Sequence, residues 1–492
     1  MRSQVSRLKL ALVALVILAM NVACPKEEFP EIGENFAGPV ATEVSPDNQY
    51  FYILNSDFEW TYNQGSILVV DTAGQKVAAH VTHRMGRSMK VRGNRMVITF
   101  DRQDADDDRS VRYYDLSDPV NPALVHTWYL PCDPLNAEFS QTSAYFFVSC
   151  RGGDLYVGSF ADPSLFKIVR SFGRTRRAMY LDDANQLLYS FVTDLGRQSD
   201  SDKFDQDKVG FDKNGTEVEG ENEIPDSFED SKTARRRPAA RYVYQFTVVD
   251  IAEMEQGGFQ YHSVGDPKDP QASYESRFLY YFLNNADGVD DSPDVDKTDM
   301  KYYRTNFWDA VKHPSKEGVF YLSHRGNSEG ANNIVRVDVI GDPRAKDQLP
   351  EGGCSNNHLL VEEKCIPLLK EYMTFNRVYG FQNEVKDLHY PGEFVVQKIQ
   401  GRLMTVVNHF RDLVYWPPDK REFAIESKVL QENGEPSTSP IQREAKSSHI
   451  DSYFQIAVTP EGQALTCSFY GNSAVLMSIV PEVPIEVVTR IQ

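Results

Sequence analysis

The sequence lacks most of the short motifs that announce catalysis or nucleotide binding. It has no C-x-x-C, so neither a zinc ribbon nor a thioredoxin-type redox pair is supported. It has no G-x-S-x-G elbow, no S-x-x-K in a penicillin-recognising setting, no G-x-G-x-x-G turn, no phosphate loop and no C-x-x-C-H. Positive charge is scarce: 52 Lys and Arg stand against 71 Asp and Glu, a net charge of −19. That balance argues against nucleic acid as the main partner, because phosphate contacts need a basic surface. Long apolar runs are missing after residue 24, so no later segment reads as membrane-spanning. What is plentiful is aromatic: 28 Phe and 25 Tyr, a composition that suits strands.

The first residues differ from the rest. Arg2, Arg7 and Lys9 precede the apolar run LALVALVILAM, and NVAC follows. A basic start, a short apolar stretch and a small-residue exit read as an export signal over residues 1–23. The ending resembles a bacterial lipoprotein signal, which implies acylation of Cys24, although Asn21 stands where that pattern has an aliphatic residue. Residues 24–38 then form a tether, and the expected location is the cell envelope, at the outer membrane or in the periplasm. Export makes disulfides allowable. Cys132 and Cys150 are placed to pair across a hairpin, and Cys354 with Cys365 around a short loop. Cys467, in an apolar strand, is expected to be a buried free thiol.

A pattern of short strand, tight polar turn and stronger strand recurs seven times: 41–55 (ATEVSPDNQYFYILN), 88–100, 136–150, 178–192, 309–323, 393–408 and 455–469 (QIAVTPEGQALTCSF). A third strand signal follows each copy, as in SILVVD, SVRYYDL and SAVLMSI, and a fourth usually follows that, as in KVAAHV and IEVVTRI. Four strands per unit and seven units predict an all-β, seven-bladed propeller over 39–492. The competing reading, two stacked β-sandwiches, does not explain seven copies of one pattern. The first and last units each own four strands, so ring closure is expected without strand exchange. Through SPDN…FYILN and TPEG…GNSAVLMSI the chain resembles bacterial YVTN-type and lactonase-like seven-bladed propellers over most of residues 39–491. The resemblance carries the fold; propellers serve many functions.

Consecutive strands run antiparallel, so connections alternate between two faces of the ring. Turns between first and second strands are all short. Long connections gather on the opposite, upper face: 56–65, 101–109, 193–241 and 324–332 between second and third strands, and 263–306, 375–392 and 431–450 between blades. The main insertions are about 197–240, 263–304, 340–367 and 431–450. The first is charged and poor in apolar residues; within the second, ASYESRFLYYFLNNADG is expected to form a helix. The one long connection expected on the lower face is 340–367. Loops held by a rigid scaffold tend to carry binding groups, so the upper face is the expected working surface.

Residues at the starts of first strands and the ends of second strands should converge at the upper channel mouth: Asp57, Arg87, Asp101, Arg177, Trp308, His324, Arg325, His409, Arg411 and His449. Several are basic in an acidic chain, and arginine offers paired donors to carboxylate or phosphate. His324, His409 and His449 come from three successive blades, and with Asp57 or Asp101 they could hold a metal if they met. The acidic runs 104–108, 205–214 and 287–296 could gather oxygens around Ca²⁺, but none has the calcium-loop spacing. The expectation is a monomeric, noncatalytic platform with no resident cofactor, binding a protein or an anionic ligand on its upper face. The alternative is a metal-assisted hydrolase or lactonase with its site at the channel mouth.

Overall fold

In several repeats the second strand is an almost unbroken apolar run, such as YFYILN at 50–55 or YFFVSC at 145–150, and nearly all of it is buried. A strand with one covered face would alternate apolar and polar residues; a run buried throughout needs neighbours on both faces. The computed structural model supplies them by standing seven sheets face to face around an axis. It describes residues 29–101, 109–171, 176–191, 246–260, 307–324, 333–339, 394–409, 412–416, 453–468, 471–480 and 486–492, with further strands at 210–211, 217–218, 262–263, 278–281, 358–361, 364–367 and 373–379.

Blade 1 comprises β1 (Pro39–Val44), β2 (Tyr50–Asn55), β3 (Gly65–Asp71) and β4 (Lys76–Thr82). Blade 2 comprises β5 (Gly86–Arg92), β6 (Arg95–Phe100), β7 (Ser110–Asp115) and β8 (Ala123–Tyr129). Blade 3 comprises β9 (Pro134–Glu138), β10 (Tyr145–Cys150), β11 (Asp154–Ser159) and β12 (Phe166–Ser171). Blade 4 begins with β13 (Met179–Asp182) and β14 (Leu187–Phe191); a small hairpin, β15 (Gly210–Phe211) and β16 (Glu217–Val218), comes before its third strand, β17 (Phe246–Asp250). A short helix, α1 (Ile251–Gln256), and β18 (His262–Ser263) precede its outermost strand, β19 (Phe278–Tyr281). Blade 5 is β20 (Phe307–Lys312), β21 (Val319–His324) and β22 (Asn333–Val339); after the hairpin β23 (His358–Val361) and β24 (Lys364–Pro367) it ends with β25 (Met373–Tyr379). Blade 6 is described as β26 (Phe394–Ile399), β27 (Arg402–His409) and β28 (Asp412–Trp416). Blade 7 is β29 (Tyr453–Val458), β30 (Gln463–Ser468), β31 (Ser473–Ser478) and β32 (Glu486–Ile491).

Every blade is antiparallel in sequence order, and β18 adds to the outer edge of blade 3 in parallel. The innermost strands neighbour one another in a closed circuit from blade 1 through blade 7 and back to blade 1. The period of two along each strand sends alternate side chains to opposite neighbours. Phe51 and Ile53 join the core shared with blade 7, while Tyr52 and Leu54 join the core shared with blade 2. Comparable cores fill the interfaces between blades 2 and 3, 3 and 4, 4 and 5, and 6 and 7. Each fully buried large apolar side chain contributes about 1.5–3 kcal/mol.

The ring closes without strand exchange: all four strands of blade 7 come from the C-terminal end and all four of blade 1 from the N-terminal end. Side chains bridge the seam. Gln455 Oε1 accepts from Thr42 N at 3.0 Å, Asn472 Oδ1 accepts from Gly38 N at 2.6 Å, and Lys76 Nζ donates to the carbonyls of Glu34 and Gln492, both at 2.8 Å. In the TPEG turn of blade 7, Gly462 sits at φ +98°, and a Cβ there would collide with the Ile479 carbonyl oxygen. Only glycine serves that turn.

Cys132 and Cys150 form a disulfide at the open end of the β9–β10 hairpin, and Cys467 is a buried free thiol whose pKa burial pushes up. Cys24 and Cys354 lie outside the described residues; Cys365 lies in β24. Two elements differ from the sequence reading. Phe278–Tyr281, expected in a helix, is β19, whose backbone pairs with β17; the third strand's open edge takes up the aromatic segment. The helix is instead α1, where Asp250 caps the N-terminus by accepting from Glu253 N at 3.1 Å. With β19 as fourth strand, the connection 251–277, like 340–372, links a third strand to a fourth and so leaves and rejoins its blade at the lower ends of the strands, while 192–245 links a second strand to a third and does so at the upper ends.

Candidate functional site

The upper mouth is built where innermost strands begin. Five of these strands, β1, β5, β9, β20 and β29, have a register shift near their start; in β5 it falls between Gly86 and Ser88 and in β20 between Phe307 and Asp309. The extra residues in β5 and β20 are Arg87 and Trp308. A bulge leaves its extra residue out of the ladder and re-aims its side chain, which places a cation and an aromatic ring at the mouth.

Arg87 Nε pairs with Asp101 Oδ2 at 3.1 Å, with 40% of the Arg87 side chain accessible. Burial of its head pulls the Arg87 pKa below the ordinary arginine value; Asp101 opposes that shift, while the like charges of Arg151 and Arg177 add to it. Arg151, exposed, follows β10, and its N–H is held by the Asp133 carbonyl at 2.8 Å. The Asp133 carboxylate pairs with Arg109 Nη1 at 3.2 Å. Arg177 is buried, with its carbonyl accepting from Asn136 Nδ2 at 3.0 Å and its guanidinium 4.0 Å above the Trp308 ring. Blades 2, 3, 4 and 5 therefore bring Arg87, Arg109, Arg151, Arg177 and Trp308 to one arc, with Arg87 and Arg109 in ion pairs to Asp101 and Asp133.

Asp57, also expected at the mouth, is turned into its own loop. Its carboxylate accepts from Thr61 N at 2.8 Å, Tyr62 N at 3.1 Å and Gln64 N at 3.2 Å. Asp57, Trp60 and Asn63 all have positive φ. The carboxylate clamps a loop that backbone preference alone would not hold. Phe58 and Trp60 project from this loop, 57% and 46% exposed, and Trp60 covers the buried Arg84 guanidinium at 3.7 Å.

His324 and His409 end β21 and β27, with only their backbones described. Arg325, Arg411 and His449 lie outside the described residues, as do the runs 104–108 and 287–296. Among the described residues no group of three His, Cys, Asp or Glu side chains is placed to hold a metal ion.

Deeper in the channel the sequence reading missed a charged cluster. Lys90 Nζ lies 3.6 Å from Glu138 Oε2 and 3.6 Å from Asp309 Oδ1, and Arg92 Nη1 lies 4.0 Å from Glu43 Oε1. These residues come from the innermost strands of blades 1, 2, 3 and 5. Burial raises the Glu43 and Glu138 pKa values, and Lys90 and Arg92 oppose both shifts. Glu43 remains 24% accessible, as befits a residue lining a narrow bore. Blades 2 and 5 are not neighbours, so the Lys90–Asp309 pair reaches across the bore. Its signal was present in the aligned repeats, where ATEV, SMKV and NAEF carry Glu43, Lys90 and Glu138 at the same position.

No protein-family model and no curated protein matches the sequence. Solved structures do match. One is Kuenenia stuttgartiensis hydrazine synthase, at 10% identity and a TM-score of 0.48, over 93% of this chain and 99% of that one. Another is the β-propeller domain of Myceliophthora thermophila Cps50 (Swd1), at 8% identity and a TM-score of 0.47, over 91% and 99% of the two chains.

Proposed function

We propose that this chain is an exported, lipid-anchored monomer of the bacterial envelope, with YVTN-type repeats, whose propeller serves as a noncatalytic binding platform. Its upper face takes an anionic ligand, a carboxylate or phosphate group carried by a small molecule or displayed on a protein. The observation behind this reading is the exposed Arg87, bulged out at the mouth beside Asp101, with the charges of Arg151 and Arg177 near enough to act on it, in a chain of net charge −19. Guanidinium groups held in place by Asp101 and by the Trp308 ring are pre-oriented to offer donors to an anion.

Calorimetric titration of the mature chain with phosphate, citrate and an acidic peptide tests the proposal. Binding of at least one, weakening as salt is raised, is expected. No heat from any of them, or equal binding of neutral analogues, would refute it.

A further inference from the structure

The outermost strands of five blades share one irregularity. In β4, β8, β12, β25 and β32 a bulge leaves one residue out of the ladder, and in each it is valine: Val77, Val125, Val169, Val378 and Val488. In blade 3 that valine is fully buried, packed in a core with Met254 of α1 and Phe259. The chain has built a cover over it, and β18 closes the strand edge besides. In blades 1, 2 and 7 the equivalent valines are 41%, 51% and 52% exposed. Val81, Leu124 and Tyr129 on the same strands are exposed as well, at 64%, 51% and 65%. The other exposed large apolar side chains among the described residues, Phe58 and Trp60, stand on the upper-face loop of blade 1, and the outermost-strand side chains of blades 4, 5 and 6 lie outside the described residues.

The tether enters the fold at the same place. Ile32 is buried, Phe36 packs in the seam core of blades 7 and 1, and Lys76 of β4 binds the Glu34 carbonyl. Cys24 lies eight residues before Ile32, a reach of no more than about 29 Å fully extended. An anchor at Cys24 would bring this edge of the ring within that reach of the bilayer. The edge is also spared the chain's acidity: β4, β8 and β32 carry one carboxylate side chain, Glu486, against Lys76 and Arg490.

We infer that the outer edge of blades 7, 1 and 2 is a membrane-resting surface, with the bare bulge valines and their neighbours seated at the lipid interface. This rests on the lipid-anchor reading. It stands the disc on its rim, with the channel axis parallel to the membrane and the arginine-lined face open to the side. Apolar side chains at an interface gain in proportion to the area they bury there.

The test separates the edge from the anchor. The mature chain, carrying a hexahistidine extension before Cys24, is held on phosphatidylethanolamine–phosphatidylglycerol vesicles containing a nickel-chelating lipid, so tethering needs no acylation. Amide hydrogen exchange is then compared with and without vesicles. Severalfold slower exchange in β4, β8 and β32 on vesicles is expected, and Val81→Glu with Val125→Glu should remove that protection while the chain stays tethered. Protection on another edge, none at all, or protection that grows with protein concentration without vesicles would overturn the inference; the last would point to a second copy as the occupant. The mass of the N-terminal peptide from the native host reports acylation on its own: an unmodified Cys24 would refute the anchor and with it the proposed resting orientation.

Discussion

Lys90 Nζ lies 3.6 Å from Asp309 Oδ1, joining blade 2 to blade 5 across the channel. The same amine also faces Glu138, whose pKa burial raises. A carboxyl with a raised native pKa binds more protons folded than unfolded, so its contribution to stability is present at low pH and lost as pH rises through the raised value. Lys90 offsets that loss. Lys90→Met is therefore expected to cost about 3 kcal/mol at about pH 8, and less as pH falls toward the ordinary glutamate range, where protonated Glu138 needs no counter-ion. Urea unfolding across that range measures it; a cost independent of pH would contradict the assignment.

Asp57 organises its loop through three backbone N–H groups. Asp57→Ala should cost about 1 kcal/mol, because three part-buried N–H groups lose their acceptor. Exchange of the Thr61, Tyr62 and Gln64 amides should accelerate in the ligand-free protein. Unchanged exchange would mean that the carboxylate does not hold the loop.

The Cys132–Cys150 bridge ties the end of β10 to the segment leading into β9, with a sequence separation of 18. Closing a loop of that length is worth about 3 kcal/mol in the chain-entropy view. Replacing both cysteines by alanine should lower unfolding stability by about 2–4 kcal/mol. The buried Cys467 thiol should stay unreactive to thiol reagents until the chain unfolds.

Gly462→Ala should destabilise by about 1–3 kcal/mol, since it forces a side chain onto the Ile479 carbonyl at a positive φ. Chemical denaturation reads this directly, and a neutral substitution would show that the turn can rearrange.

The blades were legible because each repeat obeys local rules: apolar runs at 50–55 and 145–150, and turn residues between them. Ring closure followed from the strand count at the two ends. Phe278–Tyr281 was misread because its aromatic pattern fits a short helix or a strand equally well, and only the open edge of β17 decides. Arg87, Arg177 and Trp308 could be placed at the mouth from their positions beside strand ends, but the bulges that aim Arg87 and Trp308 are register events with no local signature. Asp57 shared that position and turned inward, because three nearby N–H groups compete for its carboxylate. The channel cluster escaped notice because Lys90 and Asp309 are far apart in sequence, and their pairing exists only once the ring has closed.

The most direct measurement of the central claim is the affinity of citrate for the native chain and for the Arg87→Gln/Arg151→Gln variant, by calorimetry at low and raised salt. Both side chains are exposed, so the variant should fold. The account predicts salt-sensitive binding that falls about tenfold or more in the variant, the loss of about 1.4 kcal/mol or more. Undiminished binding in the variant would contradict it.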